Sequence, residues 1–227
     1  MKTVQIGLFP NVIETLDNPI LYTKHFPYKT KKITFSMHYK HKLITFEELK
    51  EFRVENREEG CLHVKPCSNY KNCWGCPPYA PLLERYNQKN YKYCLVYCFW
   101  LDWDFSIASD NPYFKLINAN RTLSPYATKY GQKLEMLLGG KDMIDGRCPL
   151  CPKCYASFEP KQPCKFPTKR RSSLEAVGLD ASLLSERVLE HPIQWYKKVD
   201  DKIVEPRYLT CVHGLLTDSK QPKEMVT

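Results

Sequence analysis

Long apolar segments are absent from this sequence, and glycine is scarce. The longest apolar run, Tyr93–Leu101, has about half of the roughly 18 residues that a helix needs to span a bilayer. The nine glycines form no P-loop, dinucleotide fingerprint or nucleophile elbow, and no HExxH motif occurs. The first residues lead into no signal peptide. We therefore expect a cytoplasmic protein with no membrane partner.

Cysteine, in contrast, is abundant, with eleven among 227 residues. A chain of this length can bury roughly 70% of its unfolded surface, so its fold needs no disulfides. In a reducing cytoplasm clustered cysteines usually bind metal, and an odd number fits poorly with complete pairing. The composition therefore favours a metalloprotein.

The charge is basic, with 34 Lys and Arg against 25 Asp and Glu and a net charge of +9. Such a surface favours an anionic partner, which we expect to be a small anionic substrate or an acidic redox partner protein. The alternative is a surface of solvated lysines with no partner. Nucleic acid has little support beyond charge and aromatic content, and no pattern indicates an oligomeric state.

The pattern along the chain predicts a single α+β domain over residues 29–218. This domain is expected to be a mixed sheet flanked by short helices, with two cysteine-rich metal-binding loops. Residues 1–28 contain three prolines and are predicted to be an irregular N-terminal arm, and residues 219–227 a polar tail.

Hydrophobic periodicity places the strands. Alternation over Lys32–Met37 predicts a half-buried strand, and the unbroken apolar run Tyr93–Leu101 predicts the central strand of the sheet. Ile193–Val199 and Arg207–Leu216 are predicted to be two closing strands.

Capping residues place the helices. Thr45 with Glu48 forms a capping box at the start of one helix. Ser124, followed by a proline, predicts the start of a second helix that ends at Gly139-Gly140. Asp180 is the predicted N-cap of a third helix.

The clearest chemical signal is the segment Cys148–Cys154, in which two-residue gaps separate three cysteines. Ferredoxin loops hold three irons of a [4Fe–4S] cluster with this spacing and take the fourth thiolate from elsewhere. The four predicted ligands are Cys148, Cys151, Cys154 and Cys164. Structural zinc is the alternative, although no histidine lies between residues 64 and 190 to complete a mixed Cys/His site.

A second, less regular group of cysteines precedes it, in a loop that ends at Pro77-Pro78. Four thiolates within sixteen residues could hold a second iron–sulfur cluster, and its predicted ligands are Cys61, Cys67, Cys73 and Cys76. Cys61 or Cys73 could instead pack as a small apolar side chain.

The remaining cysteines are interpreted as core residues. Cys94 and Cys98 lie four apart on the apolar strand and face the same side. Cys211 and His213 share a face of the last strand; they could approach a cluster, but core packing is the simpler interpretation.

Basic residues follow or adjoin both cysteine groups. Cations near an anionic cluster would stabilise its reduced form, and they could also bind an anionic substrate or an acidic partner. A solvated basic turn is the alternative. The candidate substrate- or partner-binding cations are Lys71, Arg85, Lys165, Lys169, Arg170 and Arg171.

Two segments carry a resemblance to a known family. Tyr70–Pro78 resembles the YGxxWxCPP element of the cysteine-rich family described as predicted metal-binding protein (domain of unknown function 2284). The stretch from Cys148 to Asp180 is similar to its CxLCxxC, CxxP and RxSxEAxGxD elements. The resemblance covers roughly residues 55 to 217. It departs from the family pattern at Val64, where a cysteine is usual, and at Lys71, where glycine is usual.

The resemblance implies that the protein binds a metal, and the cysteines of the family pattern imply that this metal is an iron–sulfur centre. It implies no defined reaction. We therefore expect an enzyme that uses an open-coordination [4Fe–4S] cluster on a small anionic or sulfur-containing substrate, with a second cluster at the Cys148 loop. One alternative is an electron-transfer protein that serves a partner enzyme. A weaker one is a zinc-stabilised RNA-binding module.

Overall fold

The structure is a computed structural model of the chain. It describes residues 22–29, 34–62, 67–87, 89–102, 112–195, 197–199, 202–204 and 206–220.

Seven strands are present in the described residues. They are β1 (Tyr22–Lys29), β2 (Thr34–Thr45), β3 (Tyr93–Asp102), β4 (Lys141–Met143), β5 (Lys197–Val199), β6 (Lys202–Val204) and β7 (Tyr208–Thr217). Five of them form one sheet in the order β1-β2-β3-β7-β4, and β5 and β6 form a separate hairpin.

Five α-helices are present in the described residues: α1 (Phe46–Lys50), α2 (Glu59–Leu62), α3 (Leu83–Asn87), α4 (Pro112–Leu138) and α5 (Ala181–Leu189). The predicted single α+β domain is confirmed. The expected mixed sheet is wrong, because every pair of neighbouring strands in the large sheet is antiparallel. The described part has one parallel contact, the isolated bridge between Ile144 and Ser173.

Strand β3 lies at the centre of the sheet, as its apolar run predicts, and both of its faces are buried. Cys94, Val96, Cys98 and Trp100 face one hydrophobic cluster, which also contains buried residues of α1 and α5. The intervening residues face a second cluster, which contains the buried face of α4. Helices therefore cover both faces of the sheet, and an unbroken apolar sequence is what such a strand requires.

The predicted irregular arm over residues 1–28 is corrected at its end, because Tyr22–Lys29 is a strand paired antiparallel with β2. Pro27 is compatible with this strand because β1 is at the edge of the sheet and has a neighbouring strand on one side only. On its other side a residue without an N–H group loses no hydrogen bond between strands. Residues 1–21, most of the predicted arm, lie outside the described residues, as do 221–227 of the predicted tail.

Helix α4 begins at Pro112 and contains Pro125, so the predicted start at Ser124-Pro125 is wrong. The local proline signal is overridden by packing, because Leu123, Tyr130 and Leu134 form part of a buried stripe against the sheet. The predicted end is confirmed. Gly139 follows the last helical residue with φ of 73°, a left-handed conformation that favours glycine.

The other two predicted caps are confirmed. Thr45 and Glu48 make both hydrogen bonds of a capping box, and the Asp180 carboxylate accepts from the backbone N–H of Leu183. The predicted strand Ile193–Val199 is wrong over residues 193–195, which belong to no strand, and is confirmed over its last three residues, which form β5. In the described part of the chain, no helix is both long and apolar enough to cross a membrane.

Candidate functional site

The two cysteine groups lie on two connections that are tied together. We call residues 51–82 the first cysteine loop and residues 144–180 the second cysteine loop. The backbone N–H of Asp180 donates to the carbonyl of Phe52 at 2.8 Å, and Arg53 forms an isolated β-bridge with Leu179. Cysteines about 70 residues apart in sequence are thereby brought to one side of the molecule.

Within the first cysteine loop, backbone hydrogen bonds group the cysteines in pairs. The N–H of Cys67 donates to the carbonyl of Cys61 at 2.9 Å, and the N–H of Cys76 donates to that of Cys73 at 3.0 Å. Cys73 and Cys76 are buried, whereas Cys67 is exposed. Charges on Cys67 and Cys61 contribute to a raised pKa at Cys76, so all four thiols lie within electrostatic reach.

Arg57 holds the end of the first cysteine loop, a role that no sequence motif signalled. Its guanidinium donates to the carbonyls of Ala80 and Ala176 at 2.8 Å each and of Pro78 at 3.1 Å. Ala176 belongs to the second cysteine loop. One charged side chain therefore joins the two loops by hydrogen bonds to carbonyl groups of both.

The four predicted ligands of the second cysteine loop lie around one cavity. Cys148, Cys151, Cys154 and Cys164 line one narrow cavity, and each keeps part of its surface accessible. Arg170 lines the same cavity.

The two loops touch at Trp74 and Gly75. The backbone N–H of Trp74 donates to Sγ of Cys154 at 3.3 Å, and its indole N–H donates to the carbonyl of Gln162 at 2.9 Å. A Cβ on Gly75 would lie 2.1 Å from the backbone oxygen of Arg171 and 3.1 Å from Cβ of Cys148. The contact therefore leaves no room for a side chain at this position.

Cys73 lies at this contact, and the hydrogen bonds that its sulfur accepts favour the thiolate. Hydrogen bonding from the Cys76 thiol and from the backbone of Gly75 and Cys148 holds its pKa below the ordinary thiol range, against the effect of burial. The same interaction raises the pKa of Cys76, and burial adds to that rise. Cys73 also interacts with Cys154 of the second loop.

The cysteines assigned to the core are buried as expected. Cys94 and Cys98 have no exposed surface, and burial raises the pKa of both thiols, that of Cys98 to about 12. Cys211 is buried and its thiol donates to Asp145 at 3.4 Å. His213 is buried as well, with Nδ1 3.2 Å from Asp142 Oδ2, so it belongs to the interior of the sheet.

Arg171 is not available to an external anion, which corrects its prediction as a binding residue. It is 6% exposed, and it makes a bidentate ion pair with Glu135 at 2.6 and 2.8 Å. A second contact, 3.6 Å to Asp142, ties it to the buried network with Tyr97 and His213. This pairing fixes the backbone of the second cysteine loop where it meets Gly75.

The other predicted cations separate into two groups. Lys71, Lys165 and Lys169 are exposed, and the first two lie over neighbouring aromatic rings. Arg85, which is also exposed, and the half-buried Arg170 line a common cavity beside the second cysteine loop.

The two departures from the family pattern have different outcomes. Lys71 has φ of 60°, the left-handed conformation in which glycine is least strained, and its N–H donates to the Pro77 carbonyl at 3.0 Å. Val64 lies outside the described residues.

The donor set at the loop contact consists of sulfur. N–H groups directed at Sγ atoms, as from Trp74 to Cys154, are the bonds that stabilise thiolate ligands of iron–sulfur clusters, so the chemistry of these donors fits such a group. In the described part of the chain, no three or more His, Cys, Asp or Glu side chains form a group that could hold a metal ion. The ligand assignment therefore remains a prediction.

Comparison with known proteins identifies the chain at the family level. No curated protein and no solved structure matches it. One family model matches residues 48–216, a range that contains both cysteine loops, β3, β4 and nearly all of β7. The chain therefore belongs to the family described as predicted metal-binding protein (DUF2284).

Proposed function

We propose that this protein binds iron–sulfur clusters through both cysteine loops and that the two centres lie side by side. The observation that carries the proposal is the contact between the loops, where Trp74 of the first donates to Sγ of Cys154 of the second at 3.3 Å. Cys73 also interacts with Cys154. Ligands of the two centres would therefore be neighbours.

Three features support iron–sulfur clusters over zinc. The Cys148 loop has ferredoxin-like spacing, and its four cysteines line one cavity. Backbone N–H groups point at Cys73 and Cys154, as they do at cluster ligands. Arg170 beside the cavity supplies a positive charge that would offset the charge of a thiolate-bound cluster.

All eleven cysteines are free thiols, in agreement with a reducing compartment such as the cytoplasm. When bound, such clusters supply one-electron transfer or an iron with Lewis acidity. The chain itself contributes a rigid loop contact and a cationic cavity. We favour an enzyme acting on a small anion, because Arg85 and Arg170 line that cavity next to the second cysteine loop.

Metal analysis of anaerobically purified protein tests the proposal. We expect brown protein with about four to eight irons and matching sulfide per chain, and broad absorption near about 400 nm. The reduced protein should give an EPR spectrum broadened by coupling between two neighbouring clusters. Stoichiometric zinc without iron, from cells supplied with ample iron, would contradict the proposal.

Cysteine variants test which residues bind the metal. Cys154→Ser should lower the iron content and remove the coupling in the EPR spectrum. Cys98→Ser is the matched control, because Cys98 is buried in the core and should leave iron unchanged. An equal loss of iron in both variants would show that the ligand assignment is wrong.

The enzyme and the electron carrier are separated by ligand addition. A small thiol or cyanide added to reduced protein should shift the EPR signal of one cluster if an iron has an open position. Spectra that no ligand changes, with fast reduction by a ferredoxin-type partner, would instead establish a carrier for an acidic redox partner.

A further inference from the structure

A cavity of about 350 Å³ opens beside the second cysteine loop, between α3, β4 and residues 167–172. Four cationic side chains line it: Arg85, Lys89, Lys141 and Arg170. No aspartate or glutamate is among the described residues that line it. This concentration of one charge is the main feature of the cavity.

The four cations have no ion-pair partner within 4 Å among the described residues. Glu135 is the carboxylate that interacts most strongly with the charge of Lys141, and it is already held in a bidentate ion pair by Arg171. Burial lowers the pKa of Lys141, and Arg171 and Lys89 repel its charge further.

Hydroxyl groups complete the lining. Ser172 is buried at 3% exposure, and Thr168 and Tyr86 line the same cavity. Hydroxyl, ammonium and guanidinium groups together match the several oxygens of a phosphate group. A volume of about 350 Å³ is near the lower limit for small-molecule sites, about 300 to 1,000 Å³.

From this lining we propose that the cavity binds the phosphate group of a small phosphorylated molecule. The four cations would be held apart by mutual repulsion in the free protein and neutralised on binding. Three of them, Arg85, Lys89 and Lys141, lie outside both cysteine loops, and Lys89 and Lys141 are not among the cations predicted from the sequence.

The cavity adjoins the cysteines. Arg170 lines both this cavity and the one that contains Cys148, Cys151, Cys154 and Cys164. Lys141 is also within electrostatic reach of Cys148. The identification of the bound molecule as the anionic substrate, lying next to the second cluster, is the one step that rests on the proposed function.

Calorimetric titration tests the site, with inorganic phosphate and glycerol 2-phosphate added to anaerobically purified protein of measured metal content. We expect the monoester to bind, and Lys89→Gln and Lys141→Gln each to weaken binding about tenfold or more, as for loss of a charged hydrogen bond. Lys89 is exposed, so its variant will fold. Lys129→Gln, an exposed lysine of α4, is the control and should change affinity less than twofold.

Four results would overturn the proposal. The first is that neither phosphate binds at millimolar concentration, and the second is that the Lys129 control loses as much affinity as the cavity variants. The third is that citrate binds as tightly as the monoester. The fourth is that a single-stranded oligonucleotide displaces the monoester at a concentration below that of the monoester. Iron is measured in the same samples. Phosphate binding without iron would refute the iron–sulfur proposal alone, and iron without phosphate binding would refute this site alone.

Discussion

Replacing Gly75 by alanine is the sharpest test of the contact between the two cysteine loops. The new Cβ would lie 2.1 Å from the backbone oxygen of Arg171, so one loop must move by about 1 Å to restore a normal contact. The Arg171 backbone cannot yield easily, because its guanidinium is paired with Glu135 at 2.6 Å and the adjacent Ser172 carbonyl accepts from Ile144 at 3.0 Å. We therefore expect the first cysteine loop to move away.

The expected cost follows from overpacking a close contact. Such substitutions destabilise proteins by about 1–3 kcal/mol, which for a chain of this length lowers the melting temperature by about 2–12 °C. The movement also lengthens the Trp74 N–H to Cys154 Sγ contact of 3.3 Å. Because metal-binding energy is partly folding energy, Gly75→Ala should retain less metal as well as unfold earlier.

Thermal unfolding and metal content of the anaerobic protein measure the two effects. Gly146→Ala is the matched control, a glycine of the second loop where a Cβ would meet no atom within 4 Å. Its φ of 66° makes alanine strained by about 1 kcal/mol, but its metal content should equal that of the wild type. If Gly75→Ala melts within 1 °C of the wild type and keeps all its metal, the loop contact does not exist as described.

Three further predictions concern the core, the loop anchor and pH. Cys98→Ala should lower the free energy of urea unfolding by about 1 kcal/mol with unchanged metal content, and a loss of metal would make Cys98 a ligand. Arg57→Leu should lower the free energy of urea unfolding by about 1.5–3 kcal/mol, because carbonyls of both loops lose a charged donor. Arg57→Lys should recover part of this loss. An unchanged free energy of unfolding in Arg57→Leu would refute the role of Arg57 as an anchor. Burial, with smaller effects of Lys40 and His38, lowers the pKa of His191 to about 4. The unfolded chain therefore binds the extra proton, and about 2 kcal/mol of stability from this residue should be lost between pH 7 and pH 5. Burial lowers the pKa of His41 to about 4 as well, so His191→Gln should reduce the slope by about half rather than remove it. Parallel curves for the two proteins would contradict the prediction.

Local sequence determined the elements whose signals are local. The apolar run Tyr93–Leu101 predicted the central strand because a strand buried on both faces must be apolar at every position. Thr45 and Asp180 predicted helix starts because a cap needs only a side-chain oxygen and the next turn. The motifs in both cysteine loops predicted the family, which the match over residues 48–216 shows.

Local sequence signals gave wrong predictions where tertiary packing overrides the local preference. Pro125 marks a helix start by its local preference, yet α4 continues through it because the buried face of the helix contributes more than one lost hydrogen bond. The antiparallel order of the sheet could not be deduced either. Strand pairing depends on contacts between distant segments, for which alternation along one strand carries no information.

The candidate site divides in the same way. The sequence by itself identified the two groups of cysteines, because spacing within a loop is a local property. Only the tertiary structure placed Cys154 against Trp74, buried Arg171 in its pair with Glu135, and set Lys141 beside Arg85 in one cavity. Each of these contacts joins residues more than 30 positions apart, and what brings them together is the packing of the sheet and its helices rather than any pattern in the neighbouring sequence.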